Sequence, residues 1–203
     1  SVGQMPVDVE AIGCDYFSAT ARKYLRGPRG AGFLYVSDRV LARSYEPLFP
    51  DLRGADWIAP DMYQPAPDAK RFETWEFAWG LIRGTGEAAR YALDIGIEPI
   101  RDRAWKLADH LRSLLNQHDK VTVLDRGEVL GATVTASVDG WAPTDLVREL
   151  RERGINTTGQ ESIDAIIDYT AKGVDGSLRI SPHYFNTEEE LSVFISSLDE
   201  ITR

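Results

Sequence analysis

Cysteine and histidine are almost missing from this 203-residue chain, which has one cysteine and three histidines. A lone cysteine, Cys14, cannot form an internal disulfide or a cysteine-based metal site. His110, His118 and His183 are scattered without the short spacings that metal ligands show. The sequence therefore predicts no disulfide framework and no metal centre.

Long apolar stretches and excess positive charge are missing too. No apolar run reaches the roughly 20 residues that cross a bilayer, and no signal peptide is evident. The net charge of −9 disfavours unspecific binding to nucleic-acid phosphates. With 43% hydrophobic residues, the chain can form one large domain or two small ones. We expect a soluble, cytoplasmic protein with no nucleic-acid or membrane partner.

Lysine is also scarce, and of the five lysines only Lys23 is framed by apolar runs. Residues 16–20 and 33–36 mix aromatic, small and β-branched side chains, which is typical of short buried strands. Glycines and Pro28 between the runs favour a tight turn. The sequence thus predicts a single amine on a rigid connection between two strands. The other lysines lie in polar loops or near a helical pattern: Lys70, Lys106, Lys120 and Lys172.

The rest of the chain shows mixed helix and strand patterns. Helical patterns are predicted to begin near residue 74, Pro99, Thr144, and Asn186 or Thr187. Short strands are predicted at 121–124, 132–138, 155–157 and 177–181. Residues 38–70, rich in proline and aromatic residues, are expected to form a long functional loop.

Three arginines surround the isolated lysine and form a local basic cluster: Arg22, Arg26 and Arg29. A guanidinium presents a fork of donors that suits a phosphate, and a deprotonated amine can form an imine with an aldehyde. From the residues alone, three interpretations stay open. The lysine is a covalent attachment point, an ordinary residue of a basic loop, or part of a module that binds some phosphate compound.

The pattern of residues 15–36 resembles the Schiff-base lysine segment of the class V aminotransferase family, whose cofactor is pyridoxal 5′-phosphate (PLP). The resemblance implies that Lys23 holds PLP as an internal aldimine. It also implies that Thr20 and Arg22 contact the cofactor phosphate, Arg22 standing where the family commonly has histidine. The form of this segment is similar to the branch of isopenicillin N epimerase-like proteins and amino-acid C–S lyases.

Three further segments extend the resemblance. In residues 178–190 the family has an arginine at a strand end that binds the substrate α-carboxylate, which here is Arg179. Two parallel hydrogen bonds from a guanidinium would fix both the charge and the orientation of such a carboxylate. Residues 71–74 match a stretch that lies near the active site and often near the partner subunit. An alternative for 71–74 is a helix start with a solvated Arg71 and Glu73.

Residues 154–162 match the loop that carries the sulfur-accepting cysteine in cysteine desulfurases, but this chain has Ser162 and no cysteine there. A serine hydroxyl cannot form a persulfide, because that step needs a thiolate. Cys14 precedes the lysine strand and is expected to be a small buried core residue. We therefore do not expect desulfurase activity by the usual persulfide route.

The resemblance implies an α/β fold. It consists of the C-terminal part of the large PLP-binding domain, residues 1–98, followed by a linking helix and a small α+β C-terminal domain, residues 99–203, of a fold type I PLP-dependent transferase. The aspartate that pairs with the pyridine nitrogen and the loop that cups the phosphate would precede Ser1. We expect a homodimer of the full-length protein and little turnover from this chain by itself.

The implied function is that of the C-terminal portion of a PLP-dependent enzyme acting on an α-amino acid. Transamination, C–S bond cleavage and epimerisation share their first step, and the residues do not choose among them. Because the N-terminal cofactor-binding half is missing, a non-catalytic binding or interaction subunit is the alternative.

Overall fold

The computed structural model describes all residues, 1–203, and divides into two compact units, Ser1–Ile97 and Glu98–Arg203. Both units combine helices with antiparallel strands, so the chain has a mixed α/β fold. None of its helices is both long enough and apolar enough to span a membrane.

The first unit contains two separate β-hairpins and one long helix. Its elements are α1 (Val9–Ile12), β1 (Tyr16–Thr20), β2 (Gly32–Val36), α2 (Asp38–Ala42), β3 (Ala55–Ala59), β4 (Met62–Pro65), a 3-10 helix (Ala69–Phe72) and α3 (Trp79–Ile95). The long helix begins five residues later than the predicted position 74.

The strand predicted at residues 16–20 is confirmed as β1, which pairs antiparallel with β2 from Tyr16 opposite Val36 to Thr20 opposite Gly32. A Cβ on Gly32 would lie 2.4 Å from the carbonyl oxygen of Ala19, so only glycine fits at this close approach. The expectation that the strand is buried was wrong, since exposed and half-buried residues alternate along β1. The two-stranded sheet leaves much of its surface open.

The loop expected at residues 38–70 contains regular structure instead. Ser37 caps α2 by accepting a hydrogen bond from the Val40 amide, and β3 and β4 form an antiparallel hairpin. The hairpin register shifts between Trp57 and Ala59, which is the signature of a β-bulge. The many prolines of this segment are typical of loops, so its composition does not predict these two strands.

The second unit packs helices against one four-stranded sheet. Its elements are α4 (Ile97–Leu115, which starts at the last residue of the first unit), β5 (Val121–Val123), β6 (Val134–Val138), α5 (Pro143–Glu152), β7 (Thr158–Glu161), a 3-10 helix (Ser162–Asp164), α6 (Ile166–Lys172), β8 (Gly176–Ile180) and α7 (Glu188–Ile201). The strand order is β5-β6-β8-β7, with every neighbouring pair antiparallel.

Most predicted elements of this unit are found within a few residues, but the strand predicted at 155–157 is wrong. Gly154 adopts φ 77°, and the amide of Ile155 donates to the carbonyl of Leu150, closing the end of α5. The chain can therefore enter the sheet only afterwards, at Thr158. The predicted cap of the last helix is confirmed at Thr187, which forms a capping box with Glu190.

Candidate active-site residues

Lys23 lies in the turn that follows β1, and the backbone of that turn is held by three hydrogen bonds. The Ala21 amide donates to the Ala31 carbonyl at 3.0 Å, the Arg26 amide to the Lys23 carbonyl at 2.9 Å, and the Gly27 amide to the Ala21 carbonyl at 2.8 Å. A Cβ on Gly27 would come within 2.9 Å of the Ala21 Cβ. The lysine thus sits on a closed, close-packed turn, as its sequence predicts.

The side chains of Thr20, Arg22 and Lys23 are all exposed, whereas Ala21 between them is fully buried. No hydrogen bond or ion pair within the structure engages any of the three side chains. A hydroxyl, a guanidinium and an amine within four residues form a donor set that suits a phosphate-bearing aldehyde. These residues therefore fit PLP.

Arg71, at the start of the matching segment 71–74, is not solvated as the alternative supposed. It is 6% exposed; its Nε donates to the Ala66 carbonyl at 2.9 Å and its Nη1 to the Tyr45 carbonyl at 3.1 Å. The neighbouring Phe72 ring meets the edge of Tyr16 in β1, with ring centroids 5.9 Å apart. The segment consequently braces the strand that leads to Lys23.

Arg179 lies in β8, in register with Thr135 of β6 on one side and Thr158 of β7 on the other. Its Nη2 donates to the Thr158 hydroxyl at a long 3.3 Å, and its Nε is buried without a partner. Leaving a buried donor unpaired is unfavourable, so such a group calls for an explanation. Nε and Nη2 form one edge of the guanidinium, the edge that a carboxylate binds with two hydrogen bonds.

An ion pair that the sequence does not predict holds the segment between β8 and α7. Arg103 of α4 binds Glu188 through two hydrogen bonds, at 2.6 and 2.9 Å, and also donates to the Asn186 carbonyl at 2.9 Å. Hydrogen bonding to Arg103 lowers the pKa of the Glu188 carboxyl to about 2. Only the helical pattern around Arg103 was visible in the sequence, since its partner is 85 residues away.

The residues relevant to sulfur transfer occupy ordinary structural positions. Cys14 is half-buried, so the expectation that it is a buried core residue was wrong, and its thiol lies 3.8 Å from the Val9 carbonyl oxygen. Ser162 is exposed and opens a 3-10 helix. Neither forms a cluster with other thiols, imidazoles or carboxylates that could bind a metal ion.

The fold of this chain is also found in solved structures. Over its full length the chain is similar to the apo structure of a cysteine desulfurase from Thermococcus onnurineus NA1, with a TM-score of 0.91 at 24% identity, covering 50% of that chain. It is also similar to the cystine C–S lyase C-DES in complex with its product cysteine persulfide, with a TM-score of 0.82 at 24% identity, over 98% of this chain and 49% of that one. These likenesses place the fold with fold type I PLP-dependent enzymes.

The chain belongs to the aminotransferase class-V family, whose family model matches residues 1–194. Its relatives include a probable cysteine desulfurase of Methanothermobacter thermautotrophicus, 27% identical over 99% of this chain and 51% of the relative. An isopenicillin N epimerase of Streptomyces clavuligerus is 29% identical over 98% of this chain and 50% of the relative. The chain spans about half the length of these two relatives.

Proposed function

We propose that this chain forms the C-terminal part of a PLP-dependent enzyme that acts on an α-amino acid. The observation that carries the proposal is the isolated, unengaged amine of Lys23 on a closed turn, next to the unengaged donors of Thr20 and Arg22. Membership of the aminotransferase class-V family supports it. The matching relatives are about twice as long, so the activity is proposed for the whole protein and not for this portion alone.

Each of these side chains has a distinct proposed role. Thr20 and Arg22 hold the cofactor phosphate, the hydroxyl with one donor and the guanidinium with a fork of donors. Lys23 attaches the cofactor covalently and, once released, moves the proton on the α-carbon of the substrate at its Nζ. When bound, PLP supplies an electron sink for bond cleavage at that carbon.

Arg179 is proposed to bind the substrate α-carboxylate. Its enclosed, unpaired Nε and its weakly held Nη2 support this role, because a carboxylate would satisfy the first and displace the long bond to Thr158. We expect Arg179→Gln in the parent protein to weaken amino-acid binding by about 10- to 100-fold, the loss of a charge-assisted pair. Binding of an amine without a carboxylate should be unaffected, and equal weakening of both ligands would contradict the role.

The reaction is proposed to be transamination, C–S bond cleavage or epimerisation. Relatives include both cysteine desulfurases and an isopenicillin N epimerase, so similarity supports amino-acid chemistry more firmly than one outcome. A persulfide route through this chain is disfavoured, because Ser162 lacks a thiol. The sole cysteine, Cys14, is half-buried and lies far from Ser162 in the sequence. We further propose a cytoplasmic homodimer for the parent protein.

A binding or interaction subunit is the second candidate function. It is favoured by the large apolar side chains that the first unit exposes, such as Leu48 at 87% and Phe49 at 85%. This candidate predicts no covalent cofactor, whereas the enzyme hypothesis requires one.

The two candidates are separated by adding PLP to the purified protein and recording the visible absorption band of the lysine-bound cofactor. We expect the band in the wild type and in Lys70→Ala, and its loss in Lys23→Ala with the circular dichroism spectrum unchanged. Lys70 is a matched control, since it is also an exposed lysine of the first unit. A band that persists in Lys23→Ala, or no band in either this chain or its parent, would overturn the proposed function.

A further inference from the structure

The turn that carries Lys23 rests on one face of α3. Leu81, Gly84 and Tyr91 are three and seven residues apart, so they share that face. A Cβ on Gly30 would lie 3.3 Å from Leu81 Cδ1, and a Cβ on Gly84 would lie 3.4 Å from Pro28 Cγ. The glycine-rich stretch after the lysine therefore packs directly on the helix.

Arg26 joins the turn to this helix face in an unusual conformation. Its φ is 62°, in the left-handed region that non-glycine residues rarely occupy. Such strain persists where the surroundings enforce it, and it concentrates at functional sites. The guanidinium carbon of Arg26 lies over the Tyr91 ring, 5.2 Å from its centroid, within the range of a cation–π interaction.

The backbone of Arg26 acts on the lysine itself. Its amide donates to the Lys23 carbonyl, and the next amide, that of Gly27, donates to the Ala21 carbonyl. One residue thus closes the turn around Lys23 with its backbone and contacts α3 with its side chain. Rotation of Arg26 out of the left-handed region would disturb both hydrogen bonds and move the lysine.

We propose that Arg26 and Tyr91 are positioning residues for Lys23: their stack holds the turn in the conformation from which the amine reaches an aldehyde. This rests on the proposed function, in which that aldehyde is PLP. Neither residue touches the cofactor in this proposal; both act through the turn.

The test compares Tyr91→Leu with Tyr91→Phe, which keeps the ring, and with Tyr45→Leu. Tyr45 is a matched control because it is also in the first unit and is 52% exposed, against 53% for Tyr91. Two quantities are measured on the full chain: the initial rate at which PLP and borohydride label Lys23, and hydrogen exchange of the Gly27 amide without PLP. We expect Tyr91→Leu to slow labelling and speed exchange, each by about two- to fivefold, while both controls match the wild type.

Arg26→Lys, which keeps a cation over the ring, should recover most of the labelling rate that Arg26→Ala loses. Unchanged labelling and unchanged Gly27 exchange in Tyr91→Leu, with a labelled wild type, would overturn the positioning role and leave the proposed function standing. If Lys23 is labelled neither in this chain nor in its parent protein, the proposed function fails, and exchange at Gly27 still decides whether the stack holds the turn.

Discussion

The two units of this chain bury their apolar side chains to very different degrees. In the second unit Leu107, Leu111, Leu150 and Leu198 are at most 1% exposed, and α5 packs on β7, β8 and α7. The first unit buries mostly small residues such as Ala21 and leaves large ones in the open. The second unit therefore has a hydrophobic core of its own. The first unit buries few large apolar side chains and leaves others exposed on its surface.

This difference bears on the two candidate site residues, since Lys23 lies in the first unit and Arg179 in the second. Arg179 lies in the sheet of the second unit, between β6 and β7. Lys23 lies in a unit with little core, and its position depends on local devices: the closed turn, the glycines and the contact of Arg26 with Tyr91. Backbone hydrogen bonds and close glycine contacts therefore hold the turn of Lys23 in a unit that buries few large apolar side chains.

The largest effect is expected at the buried ion pair of the second unit. Arg112 and Asp125 are 8% and 9% exposed in their side chains, and Asp125 also accepts hydrogen bonds from the amide and hydroxyl of Thr135. Asp125→Ala removes the buried one of the two carboxylates that pair with Arg112, the other being that of the exposed Asp109, so the free energy of unfolding should fall by about 3–5 kcal/mol in denaturant titrations. Removing the exposed carboxylate of Asp145 is the control and should change little.

A second experiment compares apolar truncations in the two units. Leu111→Ala opens a cavity in the second unit and should lower the free energy of unfolding by about 2–5 kcal/mol. Leu48→Ala in the first unit removes an 87% exposed side chain and should change it by about 0.5 kcal/mol at most. Equal losses at both sites would show that the first unit buries Leu48 in solution. The two units would then not differ in how far they bury their large apolar side chains.

The smallest effect concerns pH. Because Arg103 lowers the pKa of Glu188 from 4.5 to about 2, the folded state holds this carboxylate ionised at pH values where the unfolded state protonates it. The resulting stabilisation is complete above pH 4.5 and is lost as the pH falls from there towards 2. Glu188→Gln should flatten this part of the stability profile, measured by thermal unfolding. If stability falls with pH as steeply in Glu188→Gln as in the wild type, Glu188 does not cause the pH dependence.

Local signals predicted much of the fold. The strand at residues 16–20 was visible because its pattern is short and flanked by turn residues, and the cap at Thr187 was visible because three glutamates follow it. The sequence predicts a strand at residues 155–157, but β7 begins only at Thr158. The amide of Ile155 closes the end of α5 instead of joining the sheet, and strand propensity does not indicate this hydrogen bond.

The residues of the candidate site were predictable only in part. Lys23 stands out by its isolation in the sequence, and Arg179 by the segment around it. The sequence does not indicate that Arg26 takes a left-handed conformation, because that conformation is usually adopted by glycine. It also does not indicate that Arg71 is buried and donates to backbone carbonyls. Such features depend on contacts between residues far apart in the sequence.

The central claim is that the amine of Lys23 bonds covalently to PLP. Borohydride reduction of the PLP-treated protein, followed by proteolysis and mass spectrometry of the lysine-containing peptides, tests it most directly. We expect a phosphopyridoxyl group on the peptide containing Lys23 and none on those containing Lys70, Lys106, Lys120 or Lys172. Labelling spread over several lysines, or absent from Lys23 in the parent protein, would contradict it.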